Sequence, residues 1–301
     1  MSATDATVRL ARLDLGRATA DPTVTTRRDA LIRRGAVPDP AVREGARAIL
    51  ADVRARGAAA VREANARVGG GLSDGRLVVG ARELVDARDR LPAEVRGGIE
   101  TMVEHIRRFA ETQRPTTTRT TIAEGIEIER RWSPIARAGA YVPGGSAAYP
   151  SSLVMCAVPA RVAGVGALIV ASPAGPNGVV DPVLLGVAGL LEVDAVIVAG
   201  GAQAIGALAY GLPEDGIEPV DRIVGPGNAW VTAAKLEVFG DVGIDLPAGP
   251  SEVMVLADGT ADPAHVAADL LSQAEHGPDS PAILVTADAD FAAKVEAEIA
   301  A

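Results

Sequence analysis

Three residue types useful to chemistry are scarce in this chain of 301 residues: it has one cysteine and three histidines, and lysine stands only at 235 and 294. A single thiol, Cys156, cannot close an internal disulfide, so a reducing cytoplasm is the expected compartment. Structural zinc needs four ligands from His, Cys and carboxylates, and without a cysteine pair no complete site can be read locally. Excess positive charge is also missing. The formal net charge is −10 with no basic stripe, which argues against a nucleic-acid partner. Arginine carries nearly all the positive charge, which reads as genome composition rather than chemistry. The opening MSATDATVRLARLDLGR lacks an apolar core segment, so no secretory signal is expected. The best membrane candidate, LVMCAVPARVAGVGALIVASPAG at 153–175, carries Arg161 at its centre and is broken by Pro159, Gly164 and Gly166. A central arginine costs about 2.5–3.5 kcal/mol even on the lenient insertion scale, so a core helix followed by a core strand is expected there instead.

What is present is an ordinary globular balance, 48% hydrophobic and 23% charged, which argues against disorder. The length suits about two domains. Residues 1 to about 32 are polar and Arg-rich and read as an arm. From about 40 to 112 helical periodicity dominates, in PAVREGARAILADVRARG and LPAEVRGGIETMVEHIRRFAETQ. Between them GGGLSDGRLVV reads as a turn and a short strand, and RTTIAEGIEIERRWSPI reads as a strand or hairpin.

From 137 the text becomes regular. Strand candidates start at Arg137, Ala167, Ala195 and Asp221, spaced by 30, 28 and 26 residues, the size of a strand–helix unit. Continuous apolar runs suit strands covered on both faces. An α/β fold with a mostly parallel, doubly wound sheet is the expectation. The loops that follow read PGGSAAYPSS, PAGPNG, GGAQ and GPGNAW. In open parallel sheets ligands bind at such loops, beyond the carboxyl ends of the strands, and glycine lets backbone approach a phosphate beside a helix N-terminus. No G-x-G-x-x-G stands at a strand–helix turn, so both a nucleotide site and ordinary turns remain open at this stage.

A second set follows: VMVLAD, then DPAHVAADLLSQAEHG, then AILVT. Asp262 and Pro263 suit an N-cap and first helical position, and Gly277 a stop. Gln273 and His276 then share a helix face and could grip one object: a metal, a substrate or nothing. His105 and His265 suit packing or surface roles. Apolar neighbours should raise the pKa of Cys156 and make it filler. Ser251 lacks a G-x-S-x-G elbow and suits ligand binding or a turn cap. Asn228 is most simply an N-cap, and the Tyr141 ring either covers a planar ligand or packs. The last helix, DADFAAKVEAEIAA, stops without a capping residue, either as a frayed end or because the chain is truncated.

The segments AGAYVPGGSAAYPSSLVMCAVPARVAGV, VAGGAQAIGALAYG, DRIVGPGNAWVTAAKLEVFG, GIDLPAGPSEVMVLAD and ADLLSQAEHGPDS, in this order, resemble the histidinol dehydrogenase family. The likeness is strong from about 130 to 290. It implies a cytoplasmic zinc- and NAD-dependent oxidoreductase that converts L-histidinol through L-histidinaldehyde to L-histidine, the last step of histidine biosynthesis, and works as a homodimer. It also implies two incomplete Rossmann-like, doubly wound domains, one inserted into the other. Here these would be an arm at 1–32, a first α/β domain from 33–136 plus 252–301, and an inserted NAD-binding domain at 137–251. Carried over position by position, Tyr141, Gln203 and Asn228 match NAD contacts, and Ser251, Gln273 and His276 match substrate contacts. Gln273 and His276 also match two zinc ligands. The family's other ligands, an Asp and a partner-subunit His, and its acid–base Glu-His pair come later than Ala301. The expectation is that the full-length parent is the enzyme while these residues alone are inactive. The competing readings are a non-catalytic NAD- or imidazole-binding protein on the same fold and, behind it, a metal-dependent hydrolase using His276.

Overall fold

Short apolar runs bounded by glycine and proline become strands buried on both sides. A computed structural model describes residues 21–32, 38–144, 148–247, 251–276 and 280–301. The chain divides into two compact units, Val37–Gly249 and a second made of Met1–Ala36 with Pro250–Ala301.

In the first unit the expected strands form as β4 (Arg137–Tyr141), β5 (Ala167–Ser172), β6 (Ala195–Val198) and β7 (Arg222–Val224). They join β1 (Val78–Gly80) and β8 (Gly243–Ile244) in one sheet of order β1-β6-β5-β4-β7-β8. All pairings are parallel except that of β1 with β6. The period-2 alternation of strand side chains splits the core in two. Ala138, Ala140, Leu168, Val170, Val196 and Val198 face one cluster, and Tyr141, Ile169, Ala171, Ala195 and Ile197 face the other. Each fully buried Val, Leu or Ile contributes roughly 1.5–3 kcal/mol, so both layers matter to stability. On the first side lie α6 (Pro150–Val162) and α7 (Pro182–Leu190), with α4 (Ala81–Asp89) and α5 (Ala93–Glu111) packed on them. On the other lie α8 (Gly201–Tyr210) and α9 (Ala229–Val238), with α2 (Pro40–Arg56) and α3 (Ala58–Val68).

Two expectations are settled by these elements. The apolar run 153–175 resolves into α6 and β5, with Arg161 bonded to the Glu192 carbonyl and facing Asp194 at 3.4 Å. No helix among the described residues is long and apolar enough to cross a membrane. The strand or hairpin expected at 119–135 is a hairpin of β2 (Thr118–Ala123) and β3 (Ile126–Arg130) turned at Gly125, whose φ is +80°.

Residues 38–136 fall in the same unit as the sheet. The cause is long-range pairing. Val78 aligns with Ile197 and Gly80 with Ala195, and α4 lies so close to α7 that a Cβ on Gly189 would stand 2.0 Å from the Leu84 carbonyl oxygen.

In the second unit, β9 (Val253–Leu256) and β10 (Ala282–Val285) pair in parallel, connected through α10 (Pro263–Ala274) and followed by α11 (Ala289–Ala300). Asp262 caps α10 as expected, accepting from the Ala264 N–H at 2.9 Å. The expected stop, Gly277, lies outside the described residues, as do residues 1–20 of the expected arm. Its remainder includes a helix, α1 (Pro22–Ile32), with Asp21 accepting from the Thr23 N–H at 2.8 Å.

Candidate functional site

Strand order reverses between β4 and β7. The chain leaves β4 through α6 on one side of the sheet and leaves β7 through α9 on the other. The two loops therefore diverge and open a crevice at the carboxyl edge, where ligands bind in sheets of this kind. At its floor the backbones come very close. Gly225 has φ +110°, and a Cβ there would stand 2.1 Å from the Tyr141 carbonyl oxygen. Gly225 is held on both sides: its N–H donates to Asp245 Oδ2 at 2.8 Å, and its carbonyl accepts from Lys235 Nζ at 2.9 Å. Lys235 is 1% exposed and also bonds the other Asp245 oxygen.

Tyr141, Gln203 and Asn228 all lie along this edge, at the ends of β4, β6 and β7. The Tyr141 ring packs in the core, 4% exposed. Only its hydroxyl reaches the edge, accepting from the Gly201 N–H at 3.4 Å. Burial pushes its phenol pKa up and the Gly201 bond opposes this, so the hydroxyl is neutral near pH 7. Gln203, in the first turn of α8, is buried and donates to Asn65 Oδ1 at 3.4 Å, while Asn65 Nδ2 donates to the Val198 carbonyl at 2.9 Å. A Cβ on Gly201 would stand 3.2 Å from Gln203 Oε1, so Tyr141 and Gln203 meet at that glycine. Asn228 is the expected N-cap, its Oδ1 accepting from the N–H groups of Trp230 and Val231 at 3.0 and 3.2 Å.

The edge has features suited to a ligand. Ser172 is fully buried, and its Oγ has no hydrogen-bond partner among the described residues. It lies beneath Gly144, where a Cβ would stand 3.0 Å from that oxygen and 3.1 Å from the Pro173 carbonyl. A cavity of about 360 Å³ opens beside it, lined by Gly144, Pro173, Asn177 and Asp181 among others. Gly70 closes in from another part of the chain: its carbonyl accepts from the Ala174 N–H at 2.8 Å, and a Cβ on it would stand 3.0 Å from Pro173 Cβ. Glycine-bearing loops beside helix N-termini are the kind of surface that receives a phosphate.

In the second unit Gln273 is buried on α10. Its Nε2 donates to the Ser251 carbonyl at 2.8 Å, and the Ser251 hydroxyl stands 3.4 Å from Gln273 Oε1. Ser251 and Gln273 are thus brought together. His276 falls two residues beyond the end of α10 and is exposed, so it is not in the last helical turn as expected. Among the described residues no group of three His, Cys, Asp or Glu is placed to hold a metal ion. Gln273 and His276 supply at most two donors, one of them already engaged, and this does not fit a zinc site that needs four. His105 and His265 are exposed. Burial pushes the Cys156 thiol up to about 11, in line with its expected role as filler.

Sequence reasoning missed Asn65, Ser172, Lys235 and Asp245. A signal did exist for two of them. Asn65 follows Val61 by four positions, and Lys235 follows Val231 by four and precedes Val238 by three; all three valines lie in the core. A polar residue on an apolar helix stripe must find a buried partner.

Comparison with known proteins supplies the rest. A family model described as histidinol dehydrogenase matches residues 32–301. A histidinol dehydrogenase of Leifsonia xyli subsp. xyli is 49% identical over 271 residues, covering 89% of this chain and 62% of the relative. One from Cereibacter sphaeroides is 54% identical over 241 residues, covering 80% and 55%, and one from Nocardia farcinica is 46% identical over 299 residues, covering 98% and 66%. The crystal structure of histidinol dehydrogenase from Elizabethkingia anophelis superposes with a TM-score of 0.78 at 33% identity, over 95% of this chain and 63% of that one. The chain thus spans between 55% and 66% of the length of these relatives.

Proposed function

The chain belongs to the histidinol dehydrogenase family, and from that premise we propose that the whole protein oxidises L-histidinol through L-histidinaldehyde to L-histidine, reducing NAD+. The observation that carries this reading is that Tyr141, Gln203 and Asn228 all follow strands of one sheet at its carboxyl edge, beside the point where strand order reverses. In this reading residues 137–251 are a Rossmann-like dinucleotide domain, and 252–301 with parts of the earlier chain belong to a second, incomplete one. The whole protein works as a cytoplasmic homodimer.

NAD+ supplies the hydride acceptor. This chain's residues hold and orient it: the glycine-bearing loops before α8 and α9 face the phosphates, Gln203 and Asn228 offer amides, and the Tyr141 hydroxyl fixes the start of α8. Ser251, Gln273 and His276 contact the amino and imidazole groups of histidinol. Orientation of this kind is worth roughly 7–11 kcal/mol in the best intramolecular cases. Removal of the alcohol proton needs a base, whose loss commonly costs about 10²–10⁴-fold, and none of the site residues named here is placed as one. The family's zinc would take Gln273 and His276 as two of its ligands, but two donors do not complete the site, so no step is routed through it.

The test is calorimetry and a turnover assay on the 301-residue chain beside a full-length version. Saturable NAD+ binding, no stoichiometric zinc after dialysis against a mild chelator, and no histidinol-dependent NADH are expected of the chain. The full-length protein should turn over. NAD+ failing to bind either protein defeats the dinucleotide reading, and NADH formation by the short chain defeats its predicted inactivity.

A further inference from the structure

We propose that Lys235 and Asp245 form a buried clamp that sets the Gly225–Asn228 loop in the conformation that receives the dinucleotide; both are positioning residues, and the inference rests on the dinucleotide reading above. Gly225 leaves β7 with φ +110°, a conformation that L side chains rarely adopt. Its N–H donates to Asp245 Oδ2 at 2.8 Å and its carbonyl accepts from Lys235 Nζ at 2.9 Å. Lys235 closes the ring by bonding the second carboxylate oxygen, which also accepts from the Leu246 N–H at 2.7 Å. Both polar groups of one residue are therefore gripped by one ion pair. The lysine side chain is 2% exposed and the aspartate side chain 25%.

The pair is poorly explained as a source of stability. A buried ion pair recovers little beyond its desolvation cost, and well-packed apolar replacements are often neutral or stabilising. What apolar side chains cannot supply is a donor for the Gly225 carbonyl and an acceptor for its N–H. The position thus gripped begins the loop that ends at Asn228, the cap of α9, and Lys235 stands on that same helix. Through Gly225 the clamp fixes the entry of the chain into α9, and it presses the loop against the Tyr141 carbonyl, 2.1 Å from where a Cβ would lie.

Four proteins separate this role from plain packing: the unaltered chain, Lys235→Met, Asp245→Asn, and the double variant Lys235→Met/Asp245→Leu. Each is unfolded in urea, titrated with NAD+, and followed by hydrogen exchange over the peptide containing Gly225. The single variants lose stability and bind NAD+ about tenfold or more weakly, the scale on which supporting groups act. The double variant regains stability, because no charge is left buried and unpaired, yet stays weak for NAD+ and exchanges fast at Gly225. NAD+ affinity that returns together with stability in the double variant overturns the clamp, as does unchanged exchange at Gly225 in every variant. If the unaltered chain binds no NAD+, the dinucleotide reading fails and the positioning role falls with it. The exchange data then still decide whether the pair holds Gly225.

Discussion

Replacing Gly225 with alanine adds one methyl group at a place where two separate costs fall together. The backbone has φ +110°, and a non-glycine residue held in such a region costs roughly 1–3 kcal/mol. The added Cβ would stand 2.1 Å from the Tyr141 carbonyl oxygen and 3.1 Å from its carbon, both backbone atoms of a buried strand that cannot swing aside. Forcing such an overlap apart costs about another 1–3 kcal/mol. Two other glycines isolate the components. Gly216 has φ +75° and nothing within 4 Å of a Cβ, so Gly216→Ala carries only strain, about 1–2 kcal/mol. Gly189 lies inside α7 without positive φ, yet its Cβ would stand 2.0 Å from the Leu84 carbonyl oxygen. Gly189→Ala therefore carries only overlap, less about 0.5–1 kcal/mol regained from helix propensity. Summing the parts, Gly225→Ala should lose roughly 2–6 kcal/mol and exceed both others. Urea unfolding of the 301-residue chain measures it, and each kcal/mol should lower the Tm by about 2–4 °C in a unit of this size. A Gly225→Ala protein no less stable than Gly216→Ala would refute the close approach of β4 and β7 on which the crevice depends.

Asn228 and Asp288 cap α9 and α11 in the same way, each side chain accepting from two N–H groups. Alanine at either should cost about 1 kcal/mol, but only Asn228→Ala should also weaken NAD+ binding; equal NAD+ affinity in the two variants would remove Asn228 from the site. Cys156 gives a pH prediction. Burial first, and then the nearby Asp245 charge, hold its folded pKa at about 11, against about 8.5 in an unfolded chain. Between these values the folded chain binds more protons, so this group lowers stability as pH rises from about 8.5 toward 11. At pH 8 a thiol reagent should label the folded chain at least about 100-fold more slowly than the urea-unfolded one, and matching rates would show an open thiol instead.

Most of the sheet was legible because its signals are local. ALIVAS and AVIVAG are too short and too apolar for surface helices, and glycine or proline bounds each of them; they became β5 and β6 within a residue or two. Asp262-Pro263 and Asn228 announced helix starts for the same reason. What escaped was long-range. That Val78–Gly80 would pair with β6 and draw 38–136 onto the sheet depends on a partner more than a hundred residues away. Gly243–Ile244 is too short to show a period. Lys235 was missed because the acid that neutralises it lies on another element. The family resemblance singled out Ser251 and Gln273, and it took the structure to bring them into contact. His276, expected in the last turn of α10, falls two residues beyond it, because the helix ends at Ala274.

The two halves of the proposed chemistry differ in how far they are built in advance. Along the dinucleotide edge each key group already has a partner from elsewhere in the chain: Tyr141 from α8, Gln203 from α3, Gly225 from α9 and from Asp245 after β8. Binding there orders little, and affinity is lost mainly to ordering and desolvation. The Gln273 side is held by its contact with Ser251 and ends in an exposed His276. Its core is small, built on Val266, Ala267, Leu270, Phe291 and Val295, while Met254 and Leu256 on β9 stand 67% and 80% exposed. Two strands alone make a marginal sheet, so a ligand gripped there must order much of its own site. Of the two proposed sites, the dinucleotide edge is therefore the one held by more contacts within the chain.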